Sequence, residues 1–146
     1  MTYQENYQKW VDFADLPDYL RQDLENMDEK TKEDAFYTNL EFGTAGMRGL
    51  IGAGTNRINI YVVRQATEGL ARLIESKGGN EKDRGVAIAY DSRHFSPEFA
   101  FESAAVLAKH GIKSYVFESL RPTPELSFAV RHLNCFAGIM ITASHN

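Results

Sequence analysis

Three short apolar runs alternate with two helix signals in the second half of the chain, and this alternation limits the fold more than any other feature. The runs cover 86–90, 113–117 and 136–141, and each has the length of one buried strand. Pro97 and Pro124 each follow a hydroxyl residue at the start of the intervening segments, as at helix N-termini. A strand-helix-strand-helix-strand order predicts a largely parallel sheet with right-handed crossovers.

Polar loops follow all three predicted strands. They lie at 91–94, 118–123 and 142–146, and the last reads Thr-Ala-Ser-His-Asn. The carboxyl ends of parallel strands gather at one edge of a sheet, where open α/β folds bind their ligands. We therefore expect the functional site at this edge, with Ser144 and His145 in it.

The first part of the chain has helical patterns. Helical spacing predicts short helices at about 4–13 and 17–28, and a capping box predicts another that begins at Thr31. A longer helix at about 60–77 is expected to be capped by Asn59. We expect residues 1–39 to form an N-terminal helical clasp and residues 40–146 to form one domain. The predicted fold is a three-layer α/β/α structure with a mixed, largely parallel sheet, preceded by the N-terminal helical segment.

The stretch 40–54 is rich in glycine and contains Arg48. Glycine permits positive φ and close approach of the backbone to a ligand, and arginine binds phosphate through its guanidinium fork. The stretch is not a Walker loop, because no Gly-Lys-Ser/Thr follows, and it is not a dinucleotide fingerprint, because position 57 is arginine. A phosphate-binding loop and a bulged strand that packs closely are both compatible with the pattern.

The net charge restricts the kinds of partner that the protein can bind, and the cysteine content indicates its cellular compartment. The net charge of -4 gives no electrostatic footprint for nucleic acid or an anionic membrane, so we expect a small-molecule ligand. Cys135 is the only cysteine and cannot form an internal disulfide, which indicates a reducing compartment. The sequence has neither a secretory signal pattern nor an apolar run long enough to span a membrane. We expect a cytoplasmic protein.

Ser144 and His145 suit phosphoryl chemistry better than hydrolysis. Neighbouring side chains of an extended segment point to opposite faces, so His145 is poorly placed as a base for Ser144, and the nucleophile elbow Gly-x-Ser-x-Gly is absent. A serine at a strand end can carry a phosphate, and the glycine-rich stretch with Arg48 could bind that group.

Two segments are similar to the signature segments of the α-D-phosphohexomutases, the family of phosphoglucomutases and phosphomannomutases. They are Phe-Gly-Thr-Ala-Gly-Met-Arg-Gly at 42–49 and Thr-Ala-Ser-His-Asn at 142–146. The segments 54–59, 90–96 and 122–126 resemble further family segments in the same order. The helical N-terminus resembles the phosphoglucomutase branch, which includes phosphopentomutase-like enzymes. The resemblance implies the catalytic-serine domain of an enzyme that moves a phosphate between C1 and C6 of a hexose.

The resemblance also implies roles for single residues. Ser144 would be phosphorylated in the resting enzyme, would donate its phosphoryl group to the substrate through a hexose 1,6-bisphosphate intermediate, and would provide a phosphate ligand to Mg²⁺. Arg48 would neutralise the phosphoserine. The remaining candidates would shape the loop or contact phosphate: Thr44, Gly46, Arg93, His145 and Asn146. Arg93 could instead form a salt bridge with Asp91.

The family needs parts that this sequence lacks. The resemblance implies a lysine acid/base shortly after the serine motif and an Asp-x-Asp-x-Asp metal loop in a second domain, with sugar- and phosphate-binding loops in two further domains. The chain ends inside the serine motif, so we expect it to be part of a longer protein whose other domains are its partners. Residues 1–146 alone are expected to be inactive and to self-associate weakly through the face that the second domain would cover.

The choice of sugar is open, and the branch resemblance favours glucose 1-phosphate and glucose 6-phosphate. Two alternatives remain. One is a phosphopentomutase-type relative. The other is a non-catalytic phosphosugar-binding or interaction module, which would bind ligand through Arg48 and never carry phosphate on Ser144.

Overall fold

A four-stranded parallel sheet forms the centre of the structure, a computed structural model that describes residues 2–41, 47–91, 97–119 and 122–144. The strands are β1 (Met47–Leu50), β2 (Val86–Tyr90), β3 (Ser114–Glu118) and β4 (Ala137–Ser144), in the spatial order β1-β4-β2-β3. Each neighbouring pair of these strands is parallel, so the described part of the sheet contains no antiparallel strand. The predicted α/β class is confirmed.

Helices cover both faces of the sheet. Helices α4 (Ile60–Lys77) and α6 (Pro97–Lys109) pack against each other on one face, and α7 (Pro122–His132) packs on β2 and β4. We call these the α4/α6 face and the α7 face. A short helix, α5 (Glu81–Arg84), lies between α4 and β2, where no helix was predicted. Four residues are too few for a helical period to show in the sequence.

The caps of α4 follow the sequence prediction. The side chain of Asn59 accepts a hydrogen bond from the backbone N–H of Val62, and Gly78 ends the helix with a φ of 70°. Both caps provide hydrogen-bond partners for backbone groups that a helix end would otherwise leave without one.

Three helices form the N-terminal helical clasp: α1 (Tyr3–Val11), α2 (Asp18–Glu25) and α3 (Glu29–Phe36). The predicted cap at Thr31 is wrong, because Asp28 occupies the N-cap and accepts a hydrogen bond of 2.8 Å from the Thr31 N–H. Hydrogen bonds from Thr31 lower the pKa of the Asp28 carboxyl. Asp is as good a cap as Thr, so the helix begins before the predicted box.

Two apolar clusters hold the chain together. The larger one lies between the sheet and helices α4 and α6, and it contains Val63, Ile74, Ile88, Leu107 and Ile141. The smaller one lies within the clasp around Leu20, Leu24 and Phe36, and Tyr61 of α4 packs against it. Tyr61 therefore connects the clasp to the rest of the structure.

Cys135 is buried, as predicted, and burial raises the pKa of its thiol. Of the helices in the described ranges, none has the length and apolar character needed to cross a membrane.

Strand β4 is longer than the sequence predicted. The apolar run ends at Ile141, but the strand continues to Ser144 because its last four residues pair with β1. Polar residues can extend a strand when a neighbour supplies the hydrogen bonds of the ladder. Thr142 and Ser144 therefore lie in the sheet and not in a loop.

Candidate functional site

Two neighbouring strands extend past the others at the carboxyl edge of the sheet. Met47, Ile141, Tyr90 and Glu118 form one row across all four strands. Strands β2 and β3 end at this row, whereas β1 and β4 continue for three more residues each. The edge therefore has a two-stranded projection made of residues 48–50 and 142–144.

Arg48 lies on this projection with an exposed side chain. Met47, Ile141 and Ala143 are buried in the core of the α4/α6 face. Because side chains alternate along a strand, Arg48 and its register partner Thr142 belong to the opposite face, on which α7 packs. Arg48 is thus directed away from the core of the α4/α6 face.

The register also brings the backbone of Ser144 close to Arg48. Ser144 pairs with Leu50, two residues beyond Arg48 on the same strand. Strand spacing and rise put the Cα atoms of Arg48 and Ser144 at a diagonal separation of about 8 Å, which a long side chain can span. Ser144 lies two residues after Thr142 on β4, so its position is on the same side of the strand as those of Thr142 and Arg48. The structure therefore brings together the two residues that the sequence analysis placed at the centre of the site.

Two further polar residues lie at the same edge and are buried. Asp91 follows β2 and Ser119 follows β3, and each is 1% exposed. The backbone N–H of Ser119 donates a hydrogen bond of 2.9 Å to the carbonyl of Tyr90. From the sequence, Asp91 was expected only as a possible partner of Arg93. Its burial beside the projection was not foreseen, because burial of a polar loop residue depends on how strands and helices meet.

Several predicted site residues lie outside the described part of the chain. These are Thr44, Gly46, Arg93, His145 and Asn146. For Ser144 the structure describes the position in β4 and its register. The geometric support for the site accordingly comes from Arg48, Thr142 and the backbone of Ser144.

The glycines in the second half of the glycine-rich stretch lie close against other segments of the chain. A Cβ on Gly49 would lie 3.1 Å from Leu40, and one on Gly52 would lie 2.8 Å from Asp23. Gly54 has a φ of 131°, and a Cβ there would lie 2.5 Å from the carbonyl oxygen of Ala35. These three glycines therefore allow close packing of the chain. In the second half of the stretch 40–54, the structure thus agrees with the alternative of a bulged strand that packs closely.

The loop after β1 is hydrogen-bonded from two sides. Asn59, which is 1% exposed, donates to the carbonyls of Gly52 and Gly54 at 2.9 and 3.0 Å. From the clasp, the Asp23 carboxylate accepts a hydrogen bond of 2.7 Å from the Ala53 N–H. The sequence predicted the cap at Asn59 but gave no signal for Asp23, since that contact joins segments far apart in the chain.

The imidazole of His110 lies at the far end of α6 from this edge. It contacts the carboxylates of Glu68 and Glu75 on α4, and hydrogen bonds to these two groups raise its pKa. His132 is the last residue of α7, where its ring stacks on Phe128 with centroids 5.4 Å apart. Both contacts are structural, and neither lies beside Arg48.

The cavity beside the loop after β1 gives little support for an anionic ligand. An apolar pocket of about 290 Å³ lies between α2, the loop after β1 and the start of α6, and Glu98 is on its wall. A carboxylate there does not suit an anion. Within the described ranges, no group of three His, Cys, Asp or Glu side chains could hold a metal ion.

Known proteins share sequence with most of this chain. The family model described as phosphoglucomutase/phosphomannomutase, alpha/beta/alpha domain I, matches residues 39–146. A phosphoglucomutase of Staphylococcus epidermidis is 42% identical over 137 residues, which cover 94% of this chain and 24% of that protein. Phosphoglucomutases of Staphylococcus aureus and Staphylococcus haemolyticus are 49% and 46% identical, each over 115 residues that cover 79% of this chain and 20% of the relative.

The chain spans about a quarter of the length of the curated relatives it matches. No solved structure matches it.

Proposed function

The chain belongs to the phosphoglucomutase/phosphomannomutase family and contains its α/β/α domain I, and from this membership we propose that it is the catalytic-serine domain of a phosphohexomutase. The complete enzyme transfers a phosphoryl group between C1 and C6 of a hexose phosphate. One observation carries the proposal: the register of β1 against β4, which brings an exposed arginine and a serine together at the carboxyl edge of the sheet.

Ser144 is the phosphoryl carrier in this proposal. A free hydroxyl of the hexose monophosphate attacks the phosphorus of the phosphoserine, so that a new P–O bond forms as the P–O bond to Ser144 breaks. The attacking hydroxyl releases a proton and the serine oxygen gains one, which gives a hexose 1,6-bisphosphate. In the second half of the cycle the other phosphoryl group of the bisphosphate returns to Ser144, and the isomeric monophosphate leaves.

Arg48 neutralises the phosphate on Ser144. A guanidinium group donates two parallel hydrogen bonds to phosphate oxygens, and such donors stabilise charge that is spread over the transferring group. The exposed position of Arg48 on the α7 face leaves its donors accessible to that group.

The other site residues have supporting roles in the proposal. Thr44 and Gly46 shape the loop before β1, His145 and Asn146 donate hydrogen bonds beside the phosphoserine, and Arg93 contacts phosphate.

Family membership implies Mg²⁺ for the complete enzyme. Among the residues that the structure describes, no group of three His, Cys, Asp or Glu side chains could hold a metal ion. We propose that the phosphate on Ser144 is one ligand of Mg²⁺, which would withdraw charge from the phosphoryl oxygens when bound, and that residues beyond this chain provide the rest.

Glucose is the sugar that we propose. The curated relatives named above are called phosphoglucomutases. In the complete protein, residues 1–39 form the clasp, residues 40–146 form domain I, and the other domains select the sugar. We also propose that the enzyme is cytoplasmic.

Activity assays on the complete protein test the proposal. Ser144→Ala should abolish conversion of glucose 1-phosphate to glucose 6-phosphate, whereas Ser76→Ala should not, because Ser76 is exposed near the end of α4 and its hydroxyl donates to the carbonyl of Leu73. Sugar phosphate binding that survives in a protein without turnover would support a non-catalytic binding module. Conversion of pentose phosphates in preference to glucose 1-phosphate would indicate a phosphopentomutase-type enzyme.

A further inference from the structure

The side chain of Asp23 connects the clasp to the loop that directly follows β1, the strand that carries Arg48. The Asp23 Oδ2 atom accepts a hydrogen bond of 2.7 Å from the Ala53 N–H, in the loop directly after β1. The same atom would lie 2.8 Å from a Cβ on Gly52, so the carboxylate lies against the backbone of the loop. Glycine at position 52 makes this contact possible.

Backbone hydrogen bonds continue this connection into the sheet. The Gly52 N–H donates to the carbonyl of Ile58 at 3.1 Å, and the Ile58 N–H donates to the carbonyl of Leu50 at 2.7 Å. Leu50 is the register partner of Ser144. The side chain of Asp23 is therefore connected by consecutive contacts to the end of β1 that faces Ser144.

The other clasp contacts with this loop lie farther from β1. The Asn56 N–H donates to the carbonyl of Ala35 at 2.9 Å, and Arg57 forms an ion pair of 2.7 Å with Asp34, whose side chain is 60% exposed. Neither contact reaches the segment 50–53. Apolar side chains of the clasp also pack around Ala53. Asp23 adds to this packing a directed hydrogen bond to the part of the loop next to Leu50.

Strand β1 depends on such support because it is short and lies at the edge of the described sheet. It has four residues and pairs with β4 on one side. Short edge strands have few ladder hydrogen bonds to fix their position. Phosphoryl transfer depends mainly on positioning and charge stabilisation, so a small displacement of an arginine next to the transferring group reduces the rate strongly.

We infer that Asp23 is a positioning residue for phosphoryl transfer: through loop 51–58 it fixes β1 against β4 and so places Arg48 beside Ser144. This inference rests on the proposed function. It assigns the clasp a part in the reaction, although Asp23 itself contacts no reacting atom.

The test compares variants of the complete protein by kinetics and by hydrogen exchange. Asp23→Ala should lower kcat for glucose 1-phosphate about tenfold with little change in KM, since a misplaced arginine affects the transition state more than substrate binding. It should also increase amide exchange in the segment 47–58. Asp23→Asn should restore most of kcat, because an amide oxygen can accept the same hydrogen bond. Asp34→Asn, which breaks the ion pair with Arg57, is the matched control and should leave kcat unchanged.

If Asp23→Ala does not fold, Asp23→Ser is used, because its oxygen is too close to the main chain to reach Ala53 and the same loss of kcat is expected. Equal kcat in wild type and the Ala or Ser variant would overturn the inference, as would an Asp23→Asn variant as slow as Asp23→Ala. Absence of phosphate on Ser144 in active wild-type protein would instead overturn the proposed function, so the two failures can be told apart.

Discussion

Arg48 shows how far a single residue's role follows from local sequence. Its glycine-rich surroundings were compatible with a phosphate-binding loop and with a bulged strand, and the structure places it in a strand with an exposed side chain. The chemical role predicted from the guanidinium group remains the same in both settings. The sequence could not decide between them because β1 is stabilised by its pairing with β4, which is about ninety residues away in the chain, and no local pattern encodes such a pairing.

Replacement of Arg48 by lysine tests whether the guanidinium fork matters. Lysine keeps the positive charge but cannot bind phosphate in a bidentate manner. In the complete protein we expect Arg48→Lys to lower kcat by roughly a hundredfold, the usual cost of losing one donor to a transferring group. Arg72→Lys, at an exposed position on α4, should leave kcat unchanged. A similar loss in both variants would contradict the role given to Arg48.

At the scale of the elements, strands and helices with their own local signals were predicted well. Strand β2 has the predicted bounds, and α4 begins and ends at the predicted caps. Strand β4 was predicted too short because its polar end is stabilised by a distant partner. The bond from Asp23 to the loop after β1 was not predicted for the same physical reason.

Two glycine substitutions distinguish close packing from helix propensity. Gly54→Ala should destabilise residues 1–146 by about 2 kcal/mol or more, because φ is 131° and the new Cβ would meet the Ala35 carbonyl. Gly69→Ala, in the interior of α4 with open space around it, should stabilise them by about 0.5–1 kcal/mol. Urea unfolding followed by the fluorescence of Trp10, which packs against Phe36 and Tyr61, measures both. Equal effects would contradict the packing described for the loop.

The contacts of His110 with α4 should make stability depend on pH. Hydrogen bonds to Glu68 and then Glu75 raise the pKa of His110, and His110 in turn lowers the pKa of both carboxyls. Arg72 and Lys82 are the cations next to these carboxylates. Because the folded pKa of His110 is the higher one, its stabilisation is complete below the unfolded value of about 6.5 and is lost as pH rises through the folded value.

Thermal unfolding of wild type and His110→Gln measures this effect. The difference in Tm should be largest near pH 5.5, where the histidine is charged and most of the carboxylates are ionised, and it should disappear above the folded pKa. A difference that stays constant from pH 5.5 to 9 would show that His110 acts through packing alone.

At the scale of the whole molecule, two apolar clusters are joined where Tyr61 packs on the clasp and where the loop after β1 is bonded from both sides. The sequence predicted a clasp and a parallel sheet, and it placed the site at the carboxyl edge. It could not show that the clasp reaches the strand of Arg48. Such a contact depends on the tertiary arrangement of residues 23, 53 and 58. These residues belong to no common sequence motif or hydrophobic repeat.

Residues 1–146 alone should show no measurable conversion of glucose 1-phosphate, because the chain spans about a quarter of the length of its relatives. They should also self-associate weakly at high concentration through the face that the rest of the enzyme would cover. A coupled assay for glucose 6-phosphate and sedimentation measure the two properties. Turnover by the purified chain would contradict the first expectation, and a clean monomer at high concentration would contradict the second.

The most direct test of the account is the phosphorylation state of Ser144 in the complete protein. Intact-mass measurement after incubation with glucose 1,6-bisphosphate should show one added phosphate, and peptide mapping should locate it on Ser144. Mixing with excess glucose 1-phosphate should transfer that phosphate to sugar, and Ser144→Ala should take up none. An active wild-type enzyme that never carries phosphate at Ser144, or that carries it on another residue, would contradict the account.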